Sequence, residues 1–210
     1  MGLSLMAIYN KLYDFLGPQR WWPADSAFEV MVGAILTQNT SWDNVEKAIA
    51  NLKKNKLLKA QRLYGLSDAR LASLIRSAGY YNVKTQRLKN FLEFFIKDYE
   101  ASHRKMARVN TLTLRERLLQ VKGIGPETAD SILLYALGKP VFVVDAYTKR
   151  IFARHKVVKD GEDYSVVQKM FMKGLPEDPV LFNEYHALLV RVGKEYCSKS
   201  KPKCASCPLS

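Results

Sequence analysis

The chain is poor in cysteine, in acidic side chains and in long apolar runs. Its three cysteines, Cys197, Cys204 and Cys207, all fall in the last fourteen of 210 residues. A secreted disulfide scaffold spreads an even number of cysteines along its length, so this usage points to a metal or cluster in a reducing compartment. No run of about eighteen apolar residues occurs, which argues against a membrane-spanning helix. Asn10, Lys11 and Asp14 interrupt the apolar pattern of the N-terminal stretch, and no small-residue cleavage site follows. It does not read as a secretory signal, and a cytoplasmic protein is expected. Asp and Glu number 20 against 33 Lys and Arg, a net charge of +13. Such an excess calls for a polyanionic partner, with nucleic acid ahead of an anionic membrane surface.

Strand patterns are scarce too. Pro140-Val141-Phe142-Val143-Val144 is the clearest, and it has no obvious partner, so a buried extended connection is expected there. What the chain has is apolar residues, 48% of the total, enough for a real core. Their spacing is helical. Phe28, Met31, Val32, Ile35 and Leu36 mark one face, and Val45, Ala48, Ile49 and Leu52 another. Leu71, Leu74, Ile75 and Ala78, then Leu88, Phe91, Leu92 and Phe95, repeat it. Thr113 with Glu116, and Ser165 with Gln168, read as capping boxes. Asp178-Pro179 reads as N-cap and first residue of a helix carrying Leu181, Tyr185, Leu188, Leu189 and Val192. The pattern predicts an all-α protein of roughly nine to eleven helices.

One stretch carries most of the information: Leu118-Leu119-Gln120-Val121-Lys122-Gly123-Ile124-Gly125-Pro126-Glu127-Thr128-Ala129-Asp130. An apolar helix end runs into Gly-Ile-Gly, and a second helix starts at Pro126. Two glycines let the backbone turn tightly and approach a ligand. Amides at the second helix start point outward with the positive helix end behind them, a seat for a phosphate oxygen. Lys122 adds charge. An ordinary turn between packed helices reads the same way from the tripeptide alone. The flanking helices and the basic charge favour a helix-hairpin-helix that grips a nucleic-acid backbone at Lys122, Gly123, Ile124 and Gly125. Asp145 follows in Val143-Val144-Asp145-Ala146-Tyr147, either as a helix N-cap, as a reacting carboxylate, or as both.

The hairpin followed by Val143-Val144-Asp145 resembles the endonuclease III superfamily of DNA glycosylases. Leu36-Thr37-Gln38-Asn39-Thr40 and Gly79-Tyr80-Tyr81-Asn82-Val83-Lys84 resemble its two other DNA-facing loops. Cys197-x6-Cys204-x2-Cys207 resembles the start of its iron–sulfur loop. Trp21-Trp22-Pro23, Phe28-Glu29 and Thr40-Ser41-Trp42 are most similar to the 3-methyladenine DNA glycosylase branch. The resemblance implies an all-α fold of two helical domains flanking a DNA-binding cleft. Residues 25–134 would form a helical barrel with the hairpin. Residues 1–24 and 135–210 would form a second domain with the catalytic Asp and the cysteine loop.

The resemblance also assigns roles. Asp145 would stabilise the charge that develops on the sugar when an N-glycosidic bond breaks. Trp22 and Trp42 would sandwich the extruded base, with Glu127 beside it. Glu127 stands where backbone-cutting members carry a Schiff-base lysine, so a monofunctional glycosylase is implied. Gln38 and Tyr80 would fill the gap left by the flipped nucleotide. For the tryptophans, the plain alternative is core packing. Cys197, Cys204 and Cys207 would be three ligands of a structural [4Fe-4S] cluster, the fourth lying outside the sequence, being another residue, or missing. A zinc site completed by His103, His155 or His186 lacks suitable spacing. The expected partner is double-stranded DNA with a damaged base, bound by a monomer, nucleoid-associated if prokaryotic. Two other functions remain: a mismatch or oxidised-base glycosylase on the same scaffold, and a non-catalytic, structure-specific DNA-binding protein.

Overall fold

The computed structural model describes residues 4–210. Among them the chain is helical, with no strand. Twelve α-helices follow in order: α1 (Leu5–Leu16), α2 (Ala27–Leu36), α3 (Trp42–Lys54), α4 (Ala60–Tyr64), α5 (Asp68–Leu74), α6 (Tyr81–Tyr99), α7 (His103–Ala107), α8 (Thr111–Gln120), α9 (Pro126–Ser131), α10 (Ala146–Arg154), α11 (Tyr164–Gly174) and α12 (Pro179–Glu195). The count exceeds the expected nine to eleven because α4 and α7 have only 5 residues each. Helices that short complete one or two turns and leave no readable period. Two compact units result: Ala24–Lys139, and Pro140–Ser210 with the described part of Met1–Pro23.

The unit Ala24–Lys139 is built around α2. Ser26 caps it by accepting the Glu29 amide at 3.2 Å. Every residue from Glu29 to Leu36 is buried, so this helix is enclosed rather than amphipathic. The long α6 supplies the facing apolar stripe, Leu88, Phe91, Leu92 and Phe95. Phe28 stacks on Phe95 at 5.9 Å, and Phe95 on Phe91 at 5.7 Å. The helix after the hairpin widens at Ile132–Ala136 into a π turn packed against α2.

The second unit packs α1, α10, α11 and α12 around an aromatic core. Phe142 and Phe171 stack at 3.9 Å, and Tyr185 meets both edge-on at 5.9 and 5.5 Å. Gly193 of α12 admits the Tyr147 ring of α10; a Cβ there would lie 2.3 Å from its Cδ1. The segment around Phe142 is extended, buried and without a partner strand, as the sequence predicts. Side chains of α11 serve its backbone instead. Gln168 donates to the Phe142 carbonyl at 2.7 Å, the Phe142 amide reaches Met172 Sδ at 3.3 Å, and the Val144 amide reaches the Tyr164 hydroxyl at 3.4 Å. A buried backbone group left unpaired would cost about 1–3 kcal/mol.

Both expected capping boxes fail, whereas Asp178 caps α12 as expected, accepting the Val180 amide at 2.8 Å ahead of Pro179. Asn110, not Thr113, caps α8, accepting the amides of Leu112 and Thr113 at 2.9 and 3.4 Å. Asn is among the strongest N-caps, and it starts the helix three residues early. Helix α11 starts at Tyr164 behind Asp163, which puts Ser165 inside it and frees Gln168 for Phe142.

Candidate nucleic-acid interface and carboxylate site

The hairpin forms as the sequence predicts: α8 ends at Gln120 and α9 begins at Pro126. Gly123 has φ 96°, where L-residues are strained, and a Cβ there would meet Arg87 Cγ at 2.3 Å. Gly125 has an ordinary φ of −93°, is exposed, and faces open space. The loop's carbonyls are tied inward. Asn90 donates to the Lys122 carbonyl at 3.0 Å, and Gln38 Nε2 donates to the Gly123 carbonyl at 3.0 Å and to Thr128 Oγ1 at 2.8 Å. Arg87 donates to Gln38 Oε1 at 2.6 Å, which fixes the orientation of that amide. Arg115 and Asp130 clasp α8 to α9 through bonds of 2.6 and 3.0 Å, with Asp130 fully buried.

The four expected phosphate-contact residues divide. The amides of Gly123 and Gly125 donate to no protein acceptor among the described residues. Lys122 is exposed. Ile124 is a correction: its side chain is buried and its amide donates to the Val121 carbonyl at 2.9 Å. Ile124 anchors the loop rather than offering a donor. Glu127 is exposed in the first turn of α9, where a negative side chain suits the helix dipole.

The two expected wedge residues differ in the same way. Tyr80 is 71% exposed and sits at φ 45°, a left-handed backbone position ahead of α6. Gln38 is half-buried and engaged with Gly123, Thr128 and Arg87, so filling a base gap would mean releasing three partners. Trp42 opens α3 and is half-buried; Trp22, also half-buried, lies 5.4 Å from Trp21, ring to ring.

Asp145 ends the extended segment and caps α10. The Thr148 amide donates to its Oδ1 at 2.7 Å. Its Oδ2 lies 3.7 Å from Nε2 of His186 on α12, and both side chains are nearly buried. Burial pushes the imidazole below its ordinary range, and the neighbouring carboxylate only partly opposes this. His186 is therefore neutral at neutral pH. In the sequence His186 stands out only as a metal-ligand candidate of unsuitable spacing. Its place on the apolar stripe of α12, beside Tyr185 and Leu189, was the available signal.

The C-terminal cysteine loop is held by arginines of α10. Arg150 donates to the carbonyls of Cys197 and Gly193 at 2.7 and 3.0 Å. Arg154 donates to the carbonyls of Ser198 and Lys199 at 2.7 Å each and to Cys197 Sγ at 3.1 Å. Cys197 is buried, Cys204 exposed and Cys207 half-buried. Among the described residues no three Cys, His, Asp or Glu side chains converge as metal ligands. This arrangement does not fit the expected [4Fe-4S] cluster.

The all-helical fold, with its hairpin between α8 and α9, is that of a helix-hairpin-helix protein. Residues 32–177 match the family model described as HhH-GPD superfamily base excision DNA repair protein. The chain belongs to that family, and it is a DNA glycosylase of this type. It is 49% identical over 204 residues to the "Putative DNA repair glycosylase" of Methanocaldococcus jannaschii, covering 96% of this chain and 92% of that one. Among solved structures it resembles H. pylori 3-methyladenine DNA glycosylase bound to 1,N6-ethenoadenine, with TM-score 0.80 and 31% identity over 92% of this chain and 98% of the other. A non-covalent endonuclease III–DNA complex shares the fold at TM-score 0.83 and 22% identity, over 98% of this chain and 91% of that one.

Proposed function

We propose that this glycosylase removes alkylated purines from double-stranded DNA by hydrolysis, acting as a monomer. The observation that carries the reading is Asp145. Its Oδ1 is committed to the Thr148 amide, which leaves Oδ2 for chemistry. The C1′–N bond breaks with its electron pair leaving on the base, and the sugar becomes cationic. The carboxylate stabilises that cation, water adds to C1′, and the water's proton passes to Asp145. An N3-alkylated purine already carries positive charge, so it departs neutral and needs little acid help. An indole face suits such a cation, at about 0.5–2 kcal/mol per contact, and Trp22 and Trp42 are each proposed for that role. The 31% identity with H. pylori 3-methyladenine DNA glycosylase supports the same substrate class.

Glu127 stands where a lyase would need an amine, and a carboxylate forms no Schiff base with the sugar. The product is then an abasic site with an intact strand. Gly123 and Gly125 hold a phosphate through backbone amides, which positions the duplex without reading its sequence.

The test is a panel of duplexes carrying 3-methyladenine, ethenoadenine, hypoxanthine, uracil or thymine glycol, assayed with and without hot alkali. Alkylated purines should be released, with strand breaks only after alkali. Asp145→Asn isolates the charge, because Asn caps a helix as well as Asp. It should bind duplex normally and release base about a thousandfold more slowly. Undiminished release by Asp145→Asn would remove Asp145 from the chemistry, and efficient borohydride trapping would refute the monofunctional reading.

A further inference from the structure

Lys84 is the most deeply buried cationic side chain described, at 1% exposure. It sits on the apolar stripe of α6, one turn before Leu88 and two before Phe91, where a leucine would pack. Its ammonium donates to the Leu36 carbonyl at 2.8 Å and to the Ala78 carbonyl at 2.6 Å. No ion pair among the described residues includes it. The charge whose field reaches it is Arg87, one turn further along α6. The α2 and Ala78 ends that cover it present carbonyls, not carboxylates.

Both accepting carbonyls end helical segments. Leu36 is the last residue of α2, and Ala78 the last of a short 3₁₀ turn at Arg76–Ala78. Carbonyls at such ends lack helical partners and carry partial negative charge. Each also leads directly into a loop that the functional reading places on DNA. Thr37 and Gln38 follow Leu36. Gly79 and Tyr80 follow Ala78, with φ of 68° and 45° in succession. The backbone amide of Lys84 adds a third tie, donating to the Tyr80 carbonyl at 2.9 Å.

We propose that Lys84 is a positioning residue for DNA binding: one buried ammonium, bonded to Leu36 and Ala78, locks the Gln38 and Tyr80 loops into a single preset surface. The inference rests on the reading that these loops meet DNA. Gln38 extends the lock to the hairpin through Gly123 and Thr128, so three candidate DNA-contact segments share one anchor. A preset surface binds more tightly than one whose loops must be ordered on contact.

The lock has a pH signature that ordinary packing lacks. Burial, with Arg87 adding to it, pushes the Lys84 ammonium down to about 8. Above that pH the amine keeps two N–H groups but loses charge assistance, so each bond to carbonyl weakens by roughly half. The lock therefore loosens as pH rises through about 8. Fold stability moves the opposite way. Between about pH 8 and about 10.4 the unfolded lysine holds a proton that the folded one has shed, so stability rises with pH.

The experiment compares full-length wild type, Lys84→Met and Lys84→Arg on duplex containing a stable abasic-site analogue. Anisotropy titrations and thermal melts run from about pH 7 to about pH 9.5, a window below the ordinary lysine range. Lys84→Met should bind about tenfold more weakly at pH 7 while melting no lower than wild type. Wild type should lose several-fold affinity across the range and approach Lys84→Met. Lys84→Arg, which stays charged, should show no such loss. Should Lys84→Met fail to fold, the wild-type and Lys84→Arg pH series still decides. Equal binding by folded Lys84→Met, or the same alkaline loss in Lys84→Arg, would overturn the proposal. A wild type that binds no duplex would overturn it together with the functional reading. A wild type that binds but releases no base would refute the functional reading alone.

Discussion

Asp145 and His186 meet at 3.7 Å, Oδ2 to Nε2, with the imidazole inside the fold and the carboxylate at its margin. The contact joins the N-cap of α10 to the middle of α12, and it divides the carboxylate. Oδ1 works for the helix, and Oδ2 faces a neutral ring. Asp145→Ala would therefore lose a cap worth about 1 kcal/mol along with the charge, which is why Asp145→Asn is the cleaner variant.

Acid should act on this protein through His186. Its folded pKa lies below the ordinary 6.5, because burial outweighs the attraction of Asp145. Below about pH 6.5 the unfolded chain takes up a proton that the folded chain refuses, so stability falls as pH falls. The slope from this one group is at most about 1.4 kcal/mol per pH unit. Thermal melts of wild type and His186→Leu between about pH 5 and about pH 7 measure it. The wild-type curve should be the steeper, and parallel curves would assign the acid sensitivity elsewhere.

The two hairpin glycines should separate stability from binding. At Gly123 both the positive φ and the Arg87 stem oppose a side chain. Gly123→Ala should cost about 1–3 kcal/mol of stability. At Gly125 the backbone is ordinary and a Cβ meets nothing. Gly125→Ala should leave the melting temperature within a degree or so and, on the proposed reading, weaken duplex binding, because its methyl group would stand where a phosphate is proposed to approach the amide. Unchanged affinity in a folded Gly125→Ala protein would place the phosphate elsewhere.

What could be read from the sequence was local. The Gly-Ile-Gly-Pro turn, the Asp145 cap and the partnerless stretch around Phe142 each follow from residues adjacent in the chain. What could not be read depends on distant partners. Nothing beside Gly123 reveals that Arg87 lies under it, and nothing beside Asp145 points to His186. The cap motifs mislead because both helices begin upstream of them, α8 behind the Asn110 cap and α11 at Tyr164. Lys84 left a trace, as a charge on an otherwise apolar stripe, but its acceptors come from two other segments. The cysteine spacing suggested a cluster, whereas the arginines of α10 that order the loop carry no motif.

Net charge of +13 predicts binding dominated by phosphate contacts. The logarithm of duplex affinity should fall linearly with the logarithm of salt concentration, each contact contributing a slope of about −0.9. Lys122 is exposed beside the hairpin, and Lys122→Ala should reduce that slope by about one contact, equally for damaged and undamaged duplex. Titrations at several salt concentrations measure both effects. An unchanged slope would show that Lys122 faces solvent rather than DNA in the complex.

Tyr80 offers the sharpest separation of fold from function. Its ring is 71% exposed and its backbone is left-handed, a conformation that costs an L-residue about 1–2 kcal/mol and costs glycine nothing. Tyr80→Gly removes almost no packing and relieves that strain, so it should melt at or above the wild-type temperature. If the ring fills the gap behind a flipped nucleotide, the same variant should release a paired lesion about tenfold more slowly. A lesion opposite a mismatch, already partly unstacked, needs less help to leave the duplex and should lose less. Single-turnover base release on the two duplexes gives the comparison. Equal rates for wild type and Tyr80→Gly on the paired lesion would end the wedge assignment, and equal losses on both duplexes would point instead to a general DNA contact.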